Sequence, residues 1–387
     1  MNSIVSKHFS ECEKEPEVIV EVPGVTILFG PFANYCKGYS ICGASDLKLQ
    51  AAISLRDDSL VKMSNEFSGD HKRFSLSGIK FRKEDKWGNY VKGVVADIIC
   101  GNVALTGMNI SFTGDLLACD GATVASAMGL AVCLGVNKLF DLKMDRAQII
   151  RHTYLAVSTF AKEVCKYMVL LTMLDTKPGN LMFFDNQRVS FEFIPYSFND
   201  SNGYSLVVVD SKIPPQAMRE EVEYSQTQMK EAFLQLNNIP GYGLLRDFPI
   251  NDLSQHLITM QEDFRQLCFN VLSESQDVKE VVNYIQQRDF NQIGKILNKG
   301  QKRLRDGIEI TCPEVDWLVK RASETIGCLG SCMVQTGNSG SILLLLDNAA
   351  LASYTEKLEE YEHIFGFVCR LSEFVPRGNA EIIFPKN

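Results

Sequence analysis

The sequence has no C-x-x-C pair, no histidine beside a pair of cysteines, no G-x-S-x-G turn and no apolar run approaching the ~18 residues of a membrane span. The first two absences argue against a zinc site, which needs Cys and His at close, regular spacing. The twelve cysteines are scattered, the nearest pairs being Cys36/Cys42 and Cys328/Cys332. They read as free, mostly buried thiols in a reducing cytoplasm, not as a disulfide framework. His8, His71, His152, His256 and His363 lie far apart and show no ligand spacing, so no metal site is expected. The missing nucleophile elbow removes the most recognisable serine-hydrolase signal. The opening residues, Met1 to His8, carry no apolar leader core, and neither a membrane nor a leader is expected. A basic excess is missing too. The chain has 39 Lys+Arg against 47 Asp+Glu, a formal charge of −8. That is the wrong sign for a nucleic-acid surface, although a locally positive pocket could still take an anionic nucleotide.

What is present is the composition of a globular protein, 45% hydrophobic and 22% charged. A length of 387 residues is long for one core and predicts two lobes. Strand-like runs occur at 17–29, 47–60, 61–81, Met108–Phe112, Leu181–Phe184 and Leu206–Val209, with a turn-rich Asn199–Gly203 before the last. Helical spacing marks 87–99, a small-residue segment at 122–134 and the stretch 146–164. From Pro214 helices dominate, at 217–236, 254–272, 278–287, 290–299 and 313–326. The chain then closes on strands at 341–346 and 380–384. Strands and helices mix without a β-α-β rhythm, so the expected class is α+β, mixed sheets with helices packed on them. The expected domains are 1–190 and 191–387.

Three stretches carry the functional information. The segment Pro23 to Gly38 reads PGVTILFGPFANYCKG. It resembles the galactokinase signature P-G-R-V-N-L-I-G-E-H-T-D-Y-N-G-G in matching register. Trp87 to Val94 (WGNYVKGV) resembles the family's W-x-N-Y-V-K/R-G-V. Leu304-Arg305-Asp306 and Thr311 to Asp316 resemble its L-R-D-D-Y-x-V-[ST]-C-P-E-L-D. On these motifs the chain is identified as galactokinase-like, which implies the two-lobed fold of the GHMP kinase superfamily.

The same resemblance implies a chemistry that the residues present do not supply. Scaffold letters survive at Pro23, Gly24, Leu28, Gly30, Tyr35 and Gly38. Where the family holds sugar and phosphoryl group with Arg, Glu, His and Asp, this chain has Val25, Pro31, Phe32 and Asn34. The family's phosphate loop, P-x-G-x-G-L-S-S-S-A, works by small residues and free N–H groups at a helix N-terminus. Its counterpart, Leu117 to Ser126, keeps Gly121 and has Thr123 as a substitute hydroxyl, while Cys119, Asp120, Val124 and Ala125 depart from the pattern. Asp120 adds negative charge where triphosphate should lie. In the catalytic motif C-G-I-M-D-Q the Asp acts on the sugar hydroxyl. The gapless match, Cys165 to Thr172, places Val169 there, and valine cannot take a proton. Asp175 and Lys166 are nearby but occupy other positions. The third motif, M-T-G-A/G-G-F-G-G, matches Met333 to Ser341, with Gly337, Gly340 and the hydroxyl of Ser339 retained.

The sites implied by the resemblance are therefore a nucleotide-binding remnant (Gly121, Thr123, Gly337, Ser339, Gly340) and a sugar-site remnant (Asn34, Tyr35, Asp210), with no catalytic residue at Val25 or Val169. Asp210-Ser211 reads equally as a strand-end turn, and Arg56-Asp57-Asp58 and Arg303 to Asp306 as structural ion pairs. ATP and magnesium follow as cofactors only if the phosphate site is retained. The expected partner is a nucleotide or another small molecule, and no protein partner is indicated. Two readings stay open: a pseudokinase of galactokinase ancestry with a binding or regulatory role, and an active sugar kinase that transfers the ATP γ-phosphoryl group to a sugar hydroxyl.

Overall fold

The structure, a computed structural model, describes residues 3–119, 121–198, 203–237, 245–248, 250, 260–334 and 340–384. Asp120, the turn at 199–202, the start of the helix expected at 254–272, and Thr336, Gly337, Asn338 and Ser339 lie outside the described residues.

In chain order the elements begin with α1 (Ser3–Cys12), β1 (Val18–Phe29), β2 (Tyr39–Leu55), β3 (Leu60–Asn65) and β4 (His71–Ser75). They continue with α2 (Gly88–Cys100), β5 (Met108–Thr113), α3 (Ala122–Leu139), α4 (Arg146–Leu155) and α5 (Tyr167–Asp175). Next come β6 (Asn180–Asp185), β7 (Ser190–Pro195), β8 (Tyr204–Asp210), α6 (Arg219–Asn237), α7 (Glu262–Gln287), α8 (Phe290–Lys302) and α9 (Pro313–Ser323). The last are β9 (Cys328–Met333), β10 (Ile342–Asp347), α10 (Leu351–Phe365), β11 (Arg370–Glu373) and β12 (Glu381–Phe384). The α+β class is as expected.

Two compact units result. Unit 1 is Met1–Val25, Ala44–Pro178 and Arg377–Asn387, and unit 2 is Thr26–Gly43 and Gly179–Pro376. These differ from a single cut at 190/191, because β1 and β2 are long enough to contribute residues to both units and the C-terminal segment returns to unit 1.

In unit 1 the strand order is β12-β1-β2-β5-β3-β4. β3 and β5 pair in parallel across the crossover that contains α2. Successive strand residues face opposite sides, and the two faces of this sheet are covered differently. Ile53 faces α3, where a Cβ on Gly135 would come within 2.4 Å of Ile53 Cδ1. Ala52, one residue earlier, joins Ile4 of α1 and Ile19 of β1 in a small apolar cluster on the other face. α1 is thus docked, not a solvated tail. His8 is completely buried, its ring nitrogens 2.9 Å from the hydroxyls of Ser111 and Ser54.

In unit 2, β6 pairs with residues Tyr39 to Cys42 of β2 and with β7, and a second sheet runs β11-β8-β10-β9. One continuous core holds its strands and helices together, from Leu28 and Phe32 through Val271 and Val278 to Leu344 and Tyr361.

By length and composition α3 could cross a membrane, but 72% of it is buried inside the fold, as in a core helix. All twelve cysteines are free, and Cys100 alone is exposed.

Candidate functional site

The first signature segment ends β1 and turns. Gly30 adopts φ +72°, and a Cβ there would lie 2.3 Å from the Tyr39 carbonyl oxygen, so the turn requires glycine. Its own carbonyl accepts from Ala33 N (3.2 Å) and Ser40 Oγ (2.8 Å). The loop that follows points its side chains inward. Phe32 is 1% exposed, and Ala33 and Cys36 are fully buried in the core of unit 2. Burial pushes the Cys36 thiol and the Tyr35 phenol each up to about 12.

Helix α7 fastens this loop. Phe32 N donates to Glu274 Oε2 at 3.3 Å, and Tyr39 N donates to Ser275 Oγ at 3.2 Å. Gly38 passes so close that a Cβ would sit 2.0 Å from Ser275 Oγ. Beneath the loop lies a cavity of ≈ 30 Å³ lined by Gly30, Pro31, Glu274, Asp277, Arg303 and Cys332. It has room for water but is far below the ~300 Å³ at which small-molecule sites begin. Its charges are already matched, since Asp277 binds Lys299 Nζ at 2.8 Å and pairs with Arg303. Glu274 and Ser275 were not anticipated from sequence. The available signal was a carboxylate and a hydroxyl set among Val271 and Val278 on one buried helical stripe.

The sugar-site remnants are distributed along unit 2. Asn34 is half-buried, and its Oδ1 has no hydrogen-bond partner among the described residues. Asp210 ends β8, accepts from Lys212 N at 3.0 Å and pairs with Lys212 Nζ at 2.5 Å, the behaviour of a strand-end turn. Gly340, at φ +63°, lies against the segment after Asp210, where a Cβ would meet Ser211 Oγ at 3.3 Å. The third motif and Asp210-Ser211 are thus brought together.

Unit 1 carries the other two motifs. Gly121 (φ +80°, ψ −154°) precedes α3, whose N-terminus has no side-chain cap and no acidic residue in its first turn. Thr123 is 5% exposed. Ser126 is fully buried, with Oγ 3.6 Å from Cys165 Sγ, so α3 touches the segment that leads into α5. Burial holds the Cys165 thiol up at about 12.

No protein-family model matches the chain. Whole-chain similarity to known proteins is nevertheless extensive. A Treponema pallidum (strain Nichols) protein provisionally named as a galactokinase is 28% identical over 393 residues, covering 99% of this chain and 97% of its own. A Streptomyces coelicolor galactokinase is 27% identical over 373 residues, 95% and 94% of the two chains. Among solved structures, Lactococcus lactis galactokinase in complex with galactose superposes with a TM-score of 0.87 over 98% of both chains, at 18% identity. A mevalonate kinase follows at 0.58, covering 93% of this chain and 100% of its own, at 15% identity. The chain is related to the galactokinases and has the fold of the GHMP kinases.

In this galactokinase relative the segment Cys165 to Thr172, matched to the catalytic motif by resemblance, is largely helical. It enters α5 at Tyr167, and Val169 lies in the first turn, 1% exposed, its N–H donating to the Lys166 carbonyl at 3.0 Å. Val25 is equally buried, at 1%. Asp175, at the far end of α5, is held by Arg146 Nε at 2.8 and 2.9 Å. Lys166 is the residue that precedes the helix. The two ion-pair expectations are met by Arg56 with Asp58 (2.9 Å) and Arg305 with Asp306 (2.7 Å).

Proposed function

We propose that this chain is a pseudokinase of galactokinase ancestry, a protein that has given up phosphoryl transfer and acts by binding a ligand or regulating a partner. The observation that supports this reading most is Val169. It stands where the family has its acid, it is buried in the first turn of α5, and the acid on the same helix is engaged by Arg146. General-base catalysis is worth ~10²–10⁴ in rate. The transition-state stabilisation of a cationic partner is absent at Val25 as well.

The N-terminus of α3 bears on nucleotide binding. Its backbone, opened by Gly121 and left without a side-chain cap, suits a phosphate group. Its hydroxyls suit magnesium poorly, because Thr123 is buried and Ser126 is turned to Cys165. Among the described residues no group of three or more His, Cys, Asp or Glu could hold a metal ion. If ATP binds, Gly121, Thr123 and Gly340 are the described residues of the expected phosphate site.

The experiment is a galactose phosphorylation assay with ATP and magnesium, paired with calorimetric titration of ATP. No sugar phosphate above background is expected. Magnesium-dependent turnover would overturn the proposal and restore the sugar-kinase reading. Heat of ATP binding without turnover would make the protein a nucleotide sensor.

A further inference from the structure

Unit 1 contains a groove that the kinase resemblance does not explain. It lies on the sheet face opposite α3, where α1 covers the strands only in part. Its volume is ≈ 330 Å³, at the lower end of the ~300–1,000 Å³ range of small-molecule sites.

Register fixes which side chains share this face. Lys62 of β3 stands directly opposite Arg73 of β4 and beside Asn109 of β5, and Ser64 stands opposite His71 and beside Ser111. All of them line the groove. Lys62 and Arg73 are both exposed. Like charges on directly opposed strand positions repel, and neither cation has a carboxylate partner among the described residues. The acids nearest to hand are engaged: Glu11 with His71 (2.6 Å) and Lys7 (3.0 Å), and Asp58 with Arg56. An unpaired cationic couple is the more telling in a chain of net charge −8. The floor adds a second, independent feature. Ser64 is 5% exposed and lines the groove, its side chain making no hydrogen bond to another described residue, whereas Ser111 is committed to His8. A hydroxyl with no protein partner in a groove is free to bond water or a ligand.

We propose that this groove binds a small phosphomonoester with a hydroxyl-bearing body, its phosphate between Lys62 and Arg73 and a hydroxyl against Ser64; the Asn109 amide is already held by Arg56 and Ser54. The site is independent of whether the chain phosphorylates a sugar. Paired cations give charge-assisted hydrogen bonds to a phosphate dianion, and the ligand would relieve the repulsion that the empty pair carries.

The test uses the full chain in chelator-containing buffer, with calorimetry and thermal melting against a hexose phosphate, glycerol 3-phosphate, inorganic phosphate and glycerol. Both phosphomonoesters should bind and raise the melting temperature, inorganic phosphate at least ten-fold more weakly, and glycerol not at all. Lys62→Gln and Arg73→Gln should each weaken the esters at least ten-fold while leaving the ligand-free protein as stable as before or more so. Ser64→Ala should weaken the hexose phosphate and leave inorganic phosphate unchanged. Absence of binding by the esters, or binding that survives the charge variants, would overturn the proposal. Inorganic phosphate binding as tightly as the esters would overturn the ligand class.

Discussion

At position 169, where the resemblance to galactokinases expects an acid, an apolar side chain is packed. Restoring the family's letter there should not restore the enzyme. Val169→Asp would place a carboxylate at a site that is 1% exposed, with valine at position 25 instead of a cation. An uncompensated buried charge costs on the order of 3 kcal/mol. The expected outcome in urea denaturation is a lowered midpoint, with no galactose phosphorylation gained. Asp175→Asn separates the other candidate acid from catalysis. Its partner Arg146 is half exposed, so the pair is worth at most about 1 kcal/mol, and any phosphoryl transfer should be unchanged in the variant. His8 sets a pH dependence. Burial between two serine hydroxyls lowers its pKa from 6.5 to about 4, which favours the neutral ring in the folded state. Its contribution is therefore fully present above about pH 6.5 and is lost as the pH falls toward about 4. Denaturation midpoints measured across that window should fall in the native protein, and His8→Gln should flatten the slope.

Among the elements, the signature loop and α7 form one device. Gly38→Ala would press a methyl group to 2.0 Å from Ser275 Oγ and 2.6 Å from its Cβ. The expected cost is about 1–3 kcal/mol, as for overpacking elsewhere, read as a lower melting temperature. This pairing also marks how far the sequence could be read. Patterning was enough for β1, α2, β5, α3 and β8, where apolar periodicity and flanking turns agree. α7 was split at residues 273–277, because Ser273-Glu274-Ser275-Gln276-Asp277 reads as a polar break. In the structure that stretch is mid-helix, and its polarity is absorbed by partners distant in sequence: Phe32 N, Tyr39 N, Lys299 and Arg303. β7, β9, β11 and α10 went unread. β7 is a short edge strand ending in Pro195, and β11 has four residues. The helix 146–164 is α-helical only to Leu155 and continues as a π-turn, Ala156–Phe160. At the site, the missing chemical letters could be counted from the sequence. That Phe32 and Cys36 turn into the core could not, since the groups that draw them in lie about 240 residues away.

At the scale of the molecule, similarity to galactokinases runs the length of the chain, 99% of it against the Treponema protein. The departures from the family's motifs are local, at positions where the resemblance expects polar residues. The path of the chain through its units yields one more prediction. β12 pairs antiparallel with β1, Ile19 with Phe384 and Val20 with Ile382. Deleting 377–387 should therefore expose the backbone edge of β1, lower the melting temperature and promote aggregation, measurable by light scattering during a thermal ramp.

That strand pairing also sets the order of events during synthesis. Domains made of contiguous chain can fold as they leave the ribosome, N-terminal one first. Here unit 1 waits for the segment that begins at Arg377, with Gly179–Pro376 of unit 2 produced in between. Its β1 edge stays uncapped throughout that interval, so the nascent chain is exposed to mispairing there until β12 has been made.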